Sequence, residues 1–366
     1  MFNKPIHVGC PNIGNKKLFF QYMEDIFNRK WLTNDGYYLK KLETEISNFI
    51  GVKHSIAVCN ATVGLEIVIR SLNLKGEVIL PSFTFIATAH ALSWFNIKPV
   101  FCDISENSYN INPSLVEELI TNKTSAIMGV HVYGRPCDID GLNEVSIKYN
   151  LPLVFDAAHA FGCKFKNQMI GSFGKCEVFS FHATKYFNSF EGGVITTNDD
   201  ELANKLRLAR NFGFIGMDSV DSVGINGKMS EPSAAMGLVN LKSLPDFLKI
   251  NKNNYYSYKK YIDQIDGIDI IDYPDDSNWQ YIVVIVNDKF YLSRDELLEK
   301  LRKNNVLARR YFWPGCHKIG SYNSMKKSYF KNLDVTEDIG SRIIVLPNGQ
   351  SINKDIIKRI SKIISK

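Results

Sequence analysis

The chain has 366 residues, more than one compact domain usually holds, and its 44 basic and 38 acidic side chains leave a net charge of +6. Hydrophobic residues make up 45% and charged residues 22%, as in ordinary globular proteins, and the interspersed charges do not require a nucleic-acid partner. The seven cysteines form no C-x-x-C pair, and no apolar stretch reaches the roughly 20 residues of a membrane span. We therefore expect a cytoplasmic protein with free thiols, without a metal site and without a membrane contact.

Short apolar runs alternate with segments of helical spacing through the first two thirds of the chain. Strands are predicted at 55–59, 77–80, 98–101, 125–130, 151–155, 177–181 and 193–197. Helices are predicted between them at 65–72, 87–95 and 114–120. This alternation is typical of an α/β fold with a mostly parallel central sheet of about seven strands, covered on both faces.

After about residue 240 the pattern changes to a smaller α+β unit. It contains strands at 281–286 and 343–346, a helix at 293–303 and a last helix from about Asn353. Ser293 and Glu296 form a capping-box pattern at the start of the first of these helices. We predict a large α/β domain with an N-terminal arm over 1–240 and a small C-terminal α+β domain over 241–366.

A candidate phosphate site follows the first strand of the large domain. Asn60, Ala61 and Thr62 connect that strand to a helix, and the first N–H groups of a helix are unpaired and lie at the positive end of its dipole. An ordinary N-cap by Asn60 or Thr62 explains the same residues, so this segment alone does not indicate a ligand.

Two later segments carry candidate catalytic groups. Asp156 ends a buried strand, where ligands of open α/β sheets bind and where a carboxylate can keep a pyridine nitrogen protonated. Ser180 ends the next strand, and Lys185 follows it in a polar loop bounded by glycines. A buried lysine loses its proton more readily, which a Schiff-base lysine requires. An incidental surface lysine is the alternative, but Asp, Ser and Lys in this order favour a single site.

With these motifs the chain resembles the DegT/DnrJ/EryC1/StrS family of pyridoxal phosphate (PLP)-dependent sugar aminotransferases. The resemblance implies the aspartate-aminotransferase fold type I. It rests on Ser180-Phe181-His182-Ala183-Thr184-Lys185 followed by Glu191-Gly192-Gly193, together with residues 31–36, 309–312 and 346–349.

The resemblance also implies roles for individual residues. Lys185 would hold the cofactor covalently and move the proton, and Asp156 would pair with the ring nitrogen. His159 would bond the ring hydroxyl, and Phe85 would stack on the ring. The phosphate would be held by Ala61, Thr62 and Ser180, and by Asn226 of a neighbouring subunit, which makes the protein a homodimer with shared sites.

The resemblance suggests a further set of residues for substrate binding. Arg310 and Tyr311 suit a pyrophosphate and a sugar or base, although a structural role explains them equally well. His182 fits better as a residue that orders the lysine loop, and the role of Lys228 is open because family members often have Arg there. The full set of predicted substrate contacts is Thr33, Asn34, His182, Lys228, Arg310 and Tyr311.

The activity implied is transfer of the amino group of L-glutamate to C4 of a dTDP-linked keto-6-deoxyhexose, with pyridoxamine phosphate between two half-reactions. The product would enter an O-antigen or a similar surface glycan. Amination at C3 and a UDP- or GDP-linked 4-ketosugar are the alternatives within this activity. Two other classes stay open: a sugar dehydratase of the same family, in which His replaces the lysine, and a non-catalytic binding module.

Overall fold

A computed structural model describes residues 1–324 and 332–366 of the chain. The strands are β1 (Ile6–His7), β2 (His54–Val58), β3 (Glu77–Pro81), β4 (Lys98–Cys102), β5 (Thr124–Val130), β6 (Leu153–Asp156), β7 (Lys164–Phe165), β8 (Gln168–Met169), β9 (Cys176–Ser180), β10 (Gly193–Thr197), β11 (Ile268–Ile270), β12 (Ile282–Val286), β13 (Val306–Leu307) and β14 (Ile343–Leu346). The α-helices are α1 (Lys16–Arg29), α2 (Tyr37–Ile50), α3 (Ala61–Ser71), α4 (Ala87–Trp94), α5 (Pro113–Leu119), α6 (Ile139–Tyr149), α7 (Asp200–Arg210), α8 (Glu231–Lys242), α9 (Leu244–Ile262), α10 (Arg294–Lys303), α11 (Asp334–Arg342) and α12 (Lys354–Ser365).

The predicted central sheet is confirmed. It has seven strands in the order β2-β10-β9-β6-β5-β3-β4. Every neighbouring pair is parallel except those made by β10, which runs antiparallel to both β2 and β9. The strands that bring candidate residues to their carboxyl ends, β2, β3, β6 and β9, therefore all point to one edge of the sheet.

Alternating side chains of the sheet enter two separate cores, one on each face. Along β6, Phe155 packs into the core that contains residues of α2, α6 and α8, whereas Val154 packs into the core that contains residues of α3, α4 and α7. Both side chains are completely buried. Helices on both faces explain why these strands appear in the sequence as continuous apolar runs.

The C-terminal unit is built on a three-stranded antiparallel sheet in the order β11-β12-β14. The predicted capping box of α10 is confirmed: the Ser293 amide donates to Glu296 Oε2 at 2.8 Å, and the Glu296 amide donates to Ser293 Oγ at 3.3 Å. The first strand of the chain, β1, pairs in parallel with β13. The division of the chain near residue 240 stays a prediction.

Several element boundaries differ from those predicted, for local reasons. The strand expected at 151–155 begins at Leu153, since Pro152 has no N–H to donate to the ladder. The helix expected from residue 65 begins at Ala61, because the Asn60 side chain accepts from the Val63 amide and caps it. The sequence analysis did not predict the helices α1, α2, α6–α9 and α11.

A carboxylate at the carboxyl edge of the central sheet holds the N-terminus of α11. Asp103, which follows β4, accepts hydrogen bonds from the Val335 amide at 3.0 Å, the Thr336 amide at 2.9 Å and the Thr336 hydroxyl at 2.7 Å. It thereby caps α11, whose own preceding residue, Leu333, makes no side-chain cap. Negative charge at a helix N-terminus stabilises the helix, so Asp103 fixes α11 to the central sheet.

No helix among the described residues is both long and apolar enough to cross a lipid bilayer.

Two buried threonines allow a matched test of hydrogen bonding in this fold. The Thr196 hydroxyl is buried without a hydrogen-bond partner in the described part of the chain, whereas Thr336 donates to Asp103. We expect Thr196→Val to raise the free energy of unfolding by about 1 kcal/mol and Thr336→Val to lower it by roughly 2 kcal/mol. Urea denaturation of both variants measures this difference, and equal effects would contradict it.

Candidate active site

One cavity of about 580 Å³ opens at the carboxyl edge of the central sheet. Its walls include the segments that follow β2, β3, β6 and β9, together with residues from both ends of the chain. Among the predicted site residues, those that line it are Ala61, Thr62, Phe85, Asp156, His159, Ser180, His182, Lys185 and Tyr311. The fold therefore brings residues as far apart in the chain as Ala61 and Tyr311 to one cavity.

The first wall is the N-terminus of α3. Asn60 accepts from the Val63 amide at 2.9 Å, and its carbonyl accepts from the Gly64 amide. The amides of Ala61 and Thr62 have no partner among the described residues. A side chain at Gly193 would lie 3.0 Å from the Ala61 nitrogen, so glycine keeps this place open. Asn60 is thus the ordinary cap that the sequence suggested, and two amides still remain available for an anion.

Asp156 forms a second wall at the end of β6 and is 6% exposed. Its Oδ2 accepts from the Thr88 hydroxyl at 2.8 Å, and its Oδ1 accepts from the Ala158 amide at 3.1 Å. Burial raises the pKa of Asp156, and these hydrogen bonds and the Lys185 ammonium oppose that rise. A carboxylate in this position is stabilised by any ligand that brings a positive charge to it.

His159 is also 6% exposed and lies beside Tyr281, with the ring centroids 4.8 Å apart. Burial holds the pKa of His159 well below its ordinary value, so the imidazole is neutral. Its Nδ1 accepts from the Tyr133 amide at 3.2 Å. The ring proton is therefore on Nε2, and His159 can donate a hydrogen bond through that atom.

Lys185 is partly buried, and its Nζ lies 3.4 Å from the Tyr281 hydroxyl. Burial lowers the pKa of Lys185 from 10.5 to about 8, although the nearby Asp156 carboxylate opposes this shift. The neutral form of the amine is therefore much more populated near neutral pH than in an ordinary lysine. A neutral amine is the form that attacks a carbonyl carbon.

The lysine loop is held in place by the aromatic residues that follow Lys185. The Tyr186 hydroxyl donates to the Phe161 carbonyl at 2.8 Å. The Phe187 ring stacks on Phe161 at 4.4 Å and meets Phe181 edge-on at 4.6 Å. Because Phe187 is almost completely buried, the polar lysine is attached to a segment of the hydrophobic core.

The N-terminal arm also contacts the lysine loop. Asn12 donates to the Tyr186 carbonyl at 3.0 Å, and Asn188 donates to the Asn12 carbonyl at 2.9 Å. A side chain at Gly9 would lie 2.7 Å from Thr184, so the arm passes directly against the loop. The arm thus forms part of the cavity wall.

These groups fit the expected phosphorylated pyridine. The free amides of Ala61 and Thr62 suit its phosphate, and the buried Asp156 carboxylate suits a protonated ring nitrogen. The Nε2 proton of His159 suits a ring oxygen, and Lys185 supplies the amine. Phe85 lies on the cavity wall with 55% of its surface exposed, which leaves its ring available to a planar ligand.

Five predicted residues lie outside the cavity of this chain. Thr33 and Asn34 are exposed, as is Asn226, which pairs with Asn211 in an isolated bridge. Lys228 stacks its ammonium on the Phe212 ring at 4.6 Å. Arg310 bonds Asp295 at 3.0 Å and lies over the Trp313 ring at 3.8 Å. Their substrate or cofactor roles stay predictions.

His182 and Tyr311 line the cavity and also have structural contacts. The His182 Nδ1 accepts from the Thr184 amide at 3.2 Å, and its Nε2 lies 3.3 Å from Glu191. These contacts support the interpretation that His182 orders the lysine loop. The Tyr311 carbonyl accepts from the Tyr133 hydroxyl.

The sequence did not reveal two groups that contact the catalytic candidates. Tyr281 is one of 17 tyrosines and is the first residue of a predicted strand, so nothing in the sequence distinguished it from a structural tyrosine. Thr88 lies inside a predicted helix, where a threonine by itself does not indicate a functional site. Only the fold places the first beside Lys185 and the second beside Asp156.

Comparisons with known proteins give a consistent result. The model of the DegT/DnrJ/EryC1/StrS aminotransferase family matches residues 14–365. A dTDP-4-amino-4,6-dideoxy-D-glucose transaminase of Shigella dysenteriae is 39% identical, with 98% of this chain and 97% of that protein covered. A transaminase of the same name from Escherichia coli is 34% identical, with 100% and 99% covered. The crystal structure of DesI, solved in the presence of its TDP-sugar product, superimposes with a TM-score of 0.95 at 38% identity, covering 100% of this chain and 93% of DesI.

The pKa of Lys185 can be tested in the cofactor-free protein. We expect its modification by an amine-selective reagent to rise with a midpoint near pH 8, because burial disfavours the ammonium form. In the denatured chain the midpoint should return toward 10.5. Mass spectrometry of the Lys185 peptide at each pH measures both curves. Coincident curves for the folded and denatured chains would contradict the prediction.

Proposed function

Because the chain belongs to the DegT/DnrJ/EryC1/StrS aminotransferase family, which is PLP-dependent, we propose that it moves the amino group of L-glutamate to the C4 keto carbon of a dTDP-linked 4-keto-6-deoxyhexose. The protein is a nucleotide-sugar aminotransferase of fold type I. The observation that carries the proposal is the placement of Lys185, Asp156 and the α3 N-terminus on the walls of one cavity.

The choice of C4 and of a dTDP-sugar has two supports. The first is a resemblance: the lysine-loop sequence, residues 182–185 with Asn188 and Glu191-Gly192-Gly193, is similar to that of family members that act at C4. Both transaminases reported above are named for a 4-amino sugar linked to dTDP, and each covers almost the whole chain. GDP-perosamine synthases also match the chain, but those that cover almost all of it are less similar, at 28% and 30% identity. Amination at C3 and a UDP-linked substrate are named by none of these relatives. The product would enter an O-antigen or a similar surface glycan.

The chain's own residues divide the work as follows. When bound, PLP would supply an electron sink for the negative charge that develops at the substrate carbon. Asp156 would keep the ring nitrogen protonated, and His159 would donate a hydrogen bond from Nε2 to the ring oxygen. Lys185 would remove and return the proton at the substrate carbon, a contribution of about 10²–10⁴-fold. Phe85 would cover one face of the ring.

The Tyr281 hydroxyl is the polar group next to the lysine amine. Burial raises the pKa of Tyr281, so it remains protonated while Lys185 changes its charge. A protonated hydroxyl can donate to the neutral amine and accept from the ammonium, and it therefore holds the Nζ atom in one place through both states.

A second copy of the chain completes the site in this proposal. Asn226 would reach the phosphate of the partner's cofactor, and it is exposed outside the cavity of its own chain. The segment that precedes it exposes an apolar surface, with Met217 95% exposed. The large apolar side chains exposed on this segment are Phe212, Phe214, Ile215, Met217, Val220, Val223 and Ile225. A surface of this kind supports a homodimer, because monomers rarely expose it.

The compartment we propose is the cytoplasm. All seven cysteines are free, and five of them are buried. Free thiols persist in a reducing compartment.

Reaction with a defined substrate tests the activity. With dTDP-4-keto-6-deoxyglucose and glutamate, we expect an amine at C4 in the NMR spectrum of the product. Lys185→Ala should lower kcat by at least about 10²-fold, because the proton-transfer group is lost. Lys205→Ala, which removes an exposed lysine paired with Glu201, is the matched control. A sugar product without an amine at C4, or full turnover by Lys185→Ala, would overturn the proposal.

Mixed dimers test whether the sites are shared. A Lys185→Ala chain paired with an Asn226→Ala chain has one site that combines both defects and one that is intact. Random mixing of the two variants should therefore restore about a quarter of the wild-type activity, if the interface is two-fold symmetric. Specific activity of the mixture, compared with each variant alone, measures this. No gain on mixing would show that Asn226 serves its own chain.

A further inference from the structure

Thr88, in the first turn of α4, makes the side-chain hydrogen bond to Asp156. It is completely buried, and its hydroxyl oxygen lies 2.8 Å from Asp156 Oδ2. The Thr84 hydroxyl lies 3.0 Å from the Thr88 hydroxyl and is itself almost buried. The Thr84 hydroxyl, the Thr88 hydroxyl and the Asp156 carboxylate therefore form a chain of hydrogen bonds between the segment after β3 and the end of β6.

The direction of these hydrogen bonds follows from the chemistry of the last group. An ionised carboxylate only accepts, so Thr88 donates its one proton to Asp156. The Phe85 carbonyl, 3.0 Å from the same hydroxyl, is a neutral and weaker competitor. The Thr88 oxygen is then free to accept from Thr84, and successive hydrogen bonds in one direction strengthen each other.

The charged groups around Asp156 do not replace this contact. Lys185 is the nearest cation, but it must lose its charge to react. His131, at the end of β5, is completely buried; its Nδ1 accepts from the Cys137 amide, and its Nε2 faces Glu177 at 3.3 Å. His159 is neutral. Besides the amide of Ala158, Thr88 is thus the donor that stays with Asp156 whatever the charge on Lys185.

We propose that Thr88 is a positioning residue for the reaction: its hydroxyl orients the Asp156 carboxylate and keeps it ionised, so that Asp156 can hold the ring nitrogen of the cofactor in its protonated form. This inference rests on the proposed function, because it requires Asp156 to face a pyridine nitrogen. The same hydroxyl lies beside the Phe85 carbonyl. Thr88 therefore links the residue expected at the edge of the ring to the residue expected on its face.

Two substitutions at Thr88 separate the hydroxyl from the shape of the side chain. Thr88→Val keeps the branched shape and removes the donor, whereas Thr88→Ser keeps the donor. Thr196→Val is the matched control, since it removes a buried threonine hydroxyl that has no partner in the described part of the chain. Two quantities are measured that do not require turnover: the dissociation constant of PLP from the protein, and the ¹⁵N chemical shift of the ring nitrogen in bound, labelled PLP.

We expect Thr88→Val to weaken PLP binding about tenfold or more, as the loss of a hydrogen bond to a charged group does. Its ¹⁵N shift should move toward the value of an unprotonated pyridine. Thr88→Ser should restore both quantities to within about threefold of wild type in affinity, since the charge-assisted bond is kept. Thr196→Val should change neither.

The outcomes also separate this inference from the proposed function. Unchanged affinity and unchanged ¹⁵N shift in Thr88→Val would overturn the role of Thr88 and leave the aminotransferase assignment intact. An effect in Thr88→Val equal to that in Thr196→Val would overturn it as well. Failure of the wild-type protein to bind PLP would overturn both. Binding of PLP without amination of the dTDP-sugar would overturn only the substrate.

Discussion

The burial of one carboxylate is the constraint on which the rest of the site depends. Asp156 lies at the end of a central strand, between two hydrophobic cores, where an unpaired charge is costly. The protein accommodates it with one hydroxyl and one amide rather than with a permanent ion pair. A permanent ion pair would stabilise the Asp156 carboxylate more strongly, but its negative charge would then already be neutralised and would attract a cationic ligand less. The incomplete compensation is what makes this edge of the sheet attractive to a protonated ring.

At the same edge of the sheet, the N-terminus of α3 provides a site for a negatively charged group. Its first amides provide positive potential without a charged side chain, so the site can hold an anion and a cation close together. The charge state of Lys185 is set by two opposing effects: desolvation favours its neutral form, and Asp156 favours its charged form. The balance gives an amine that changes protonation near physiological pH. Each of these three properties comes from a different strand end, and the parallel order of β2, β6 and β9 brings them together.

The sequence predicted the central sheet and the lysine loop because both carry strong local signals. Strands buried on two faces are continuous apolar runs, and the Ser180–Lys185 segment has a distinctive spacing. Tyr281 and Thr88 could not be predicted, since each acts through a single long-range contact that local pattern does not encode. The pairing of the N-terminal arm was missed for a similar reason: β1 has two residues and pairs with residues 306 and 307. The role proposed for Asn226 involves a second chain, which the structure of one subunit does not describe.

The contacts of the N-terminal arm also set the order in which the protein can be completed during synthesis. Asn12 accepts from the Gln350 amide, and the Ile13 amide donates to the Gln350 side chain, across a separation of 337 residues in the second case. Asn12 also holds the lysine loop. While the ribosome is still making the last segment, the central sheet can form and the arm can contact the lysine loop, but its contacts with Gln350 are missing. The cavity wall, which includes Asn348 and Gly349, is therefore complete only after translation has passed residue 350.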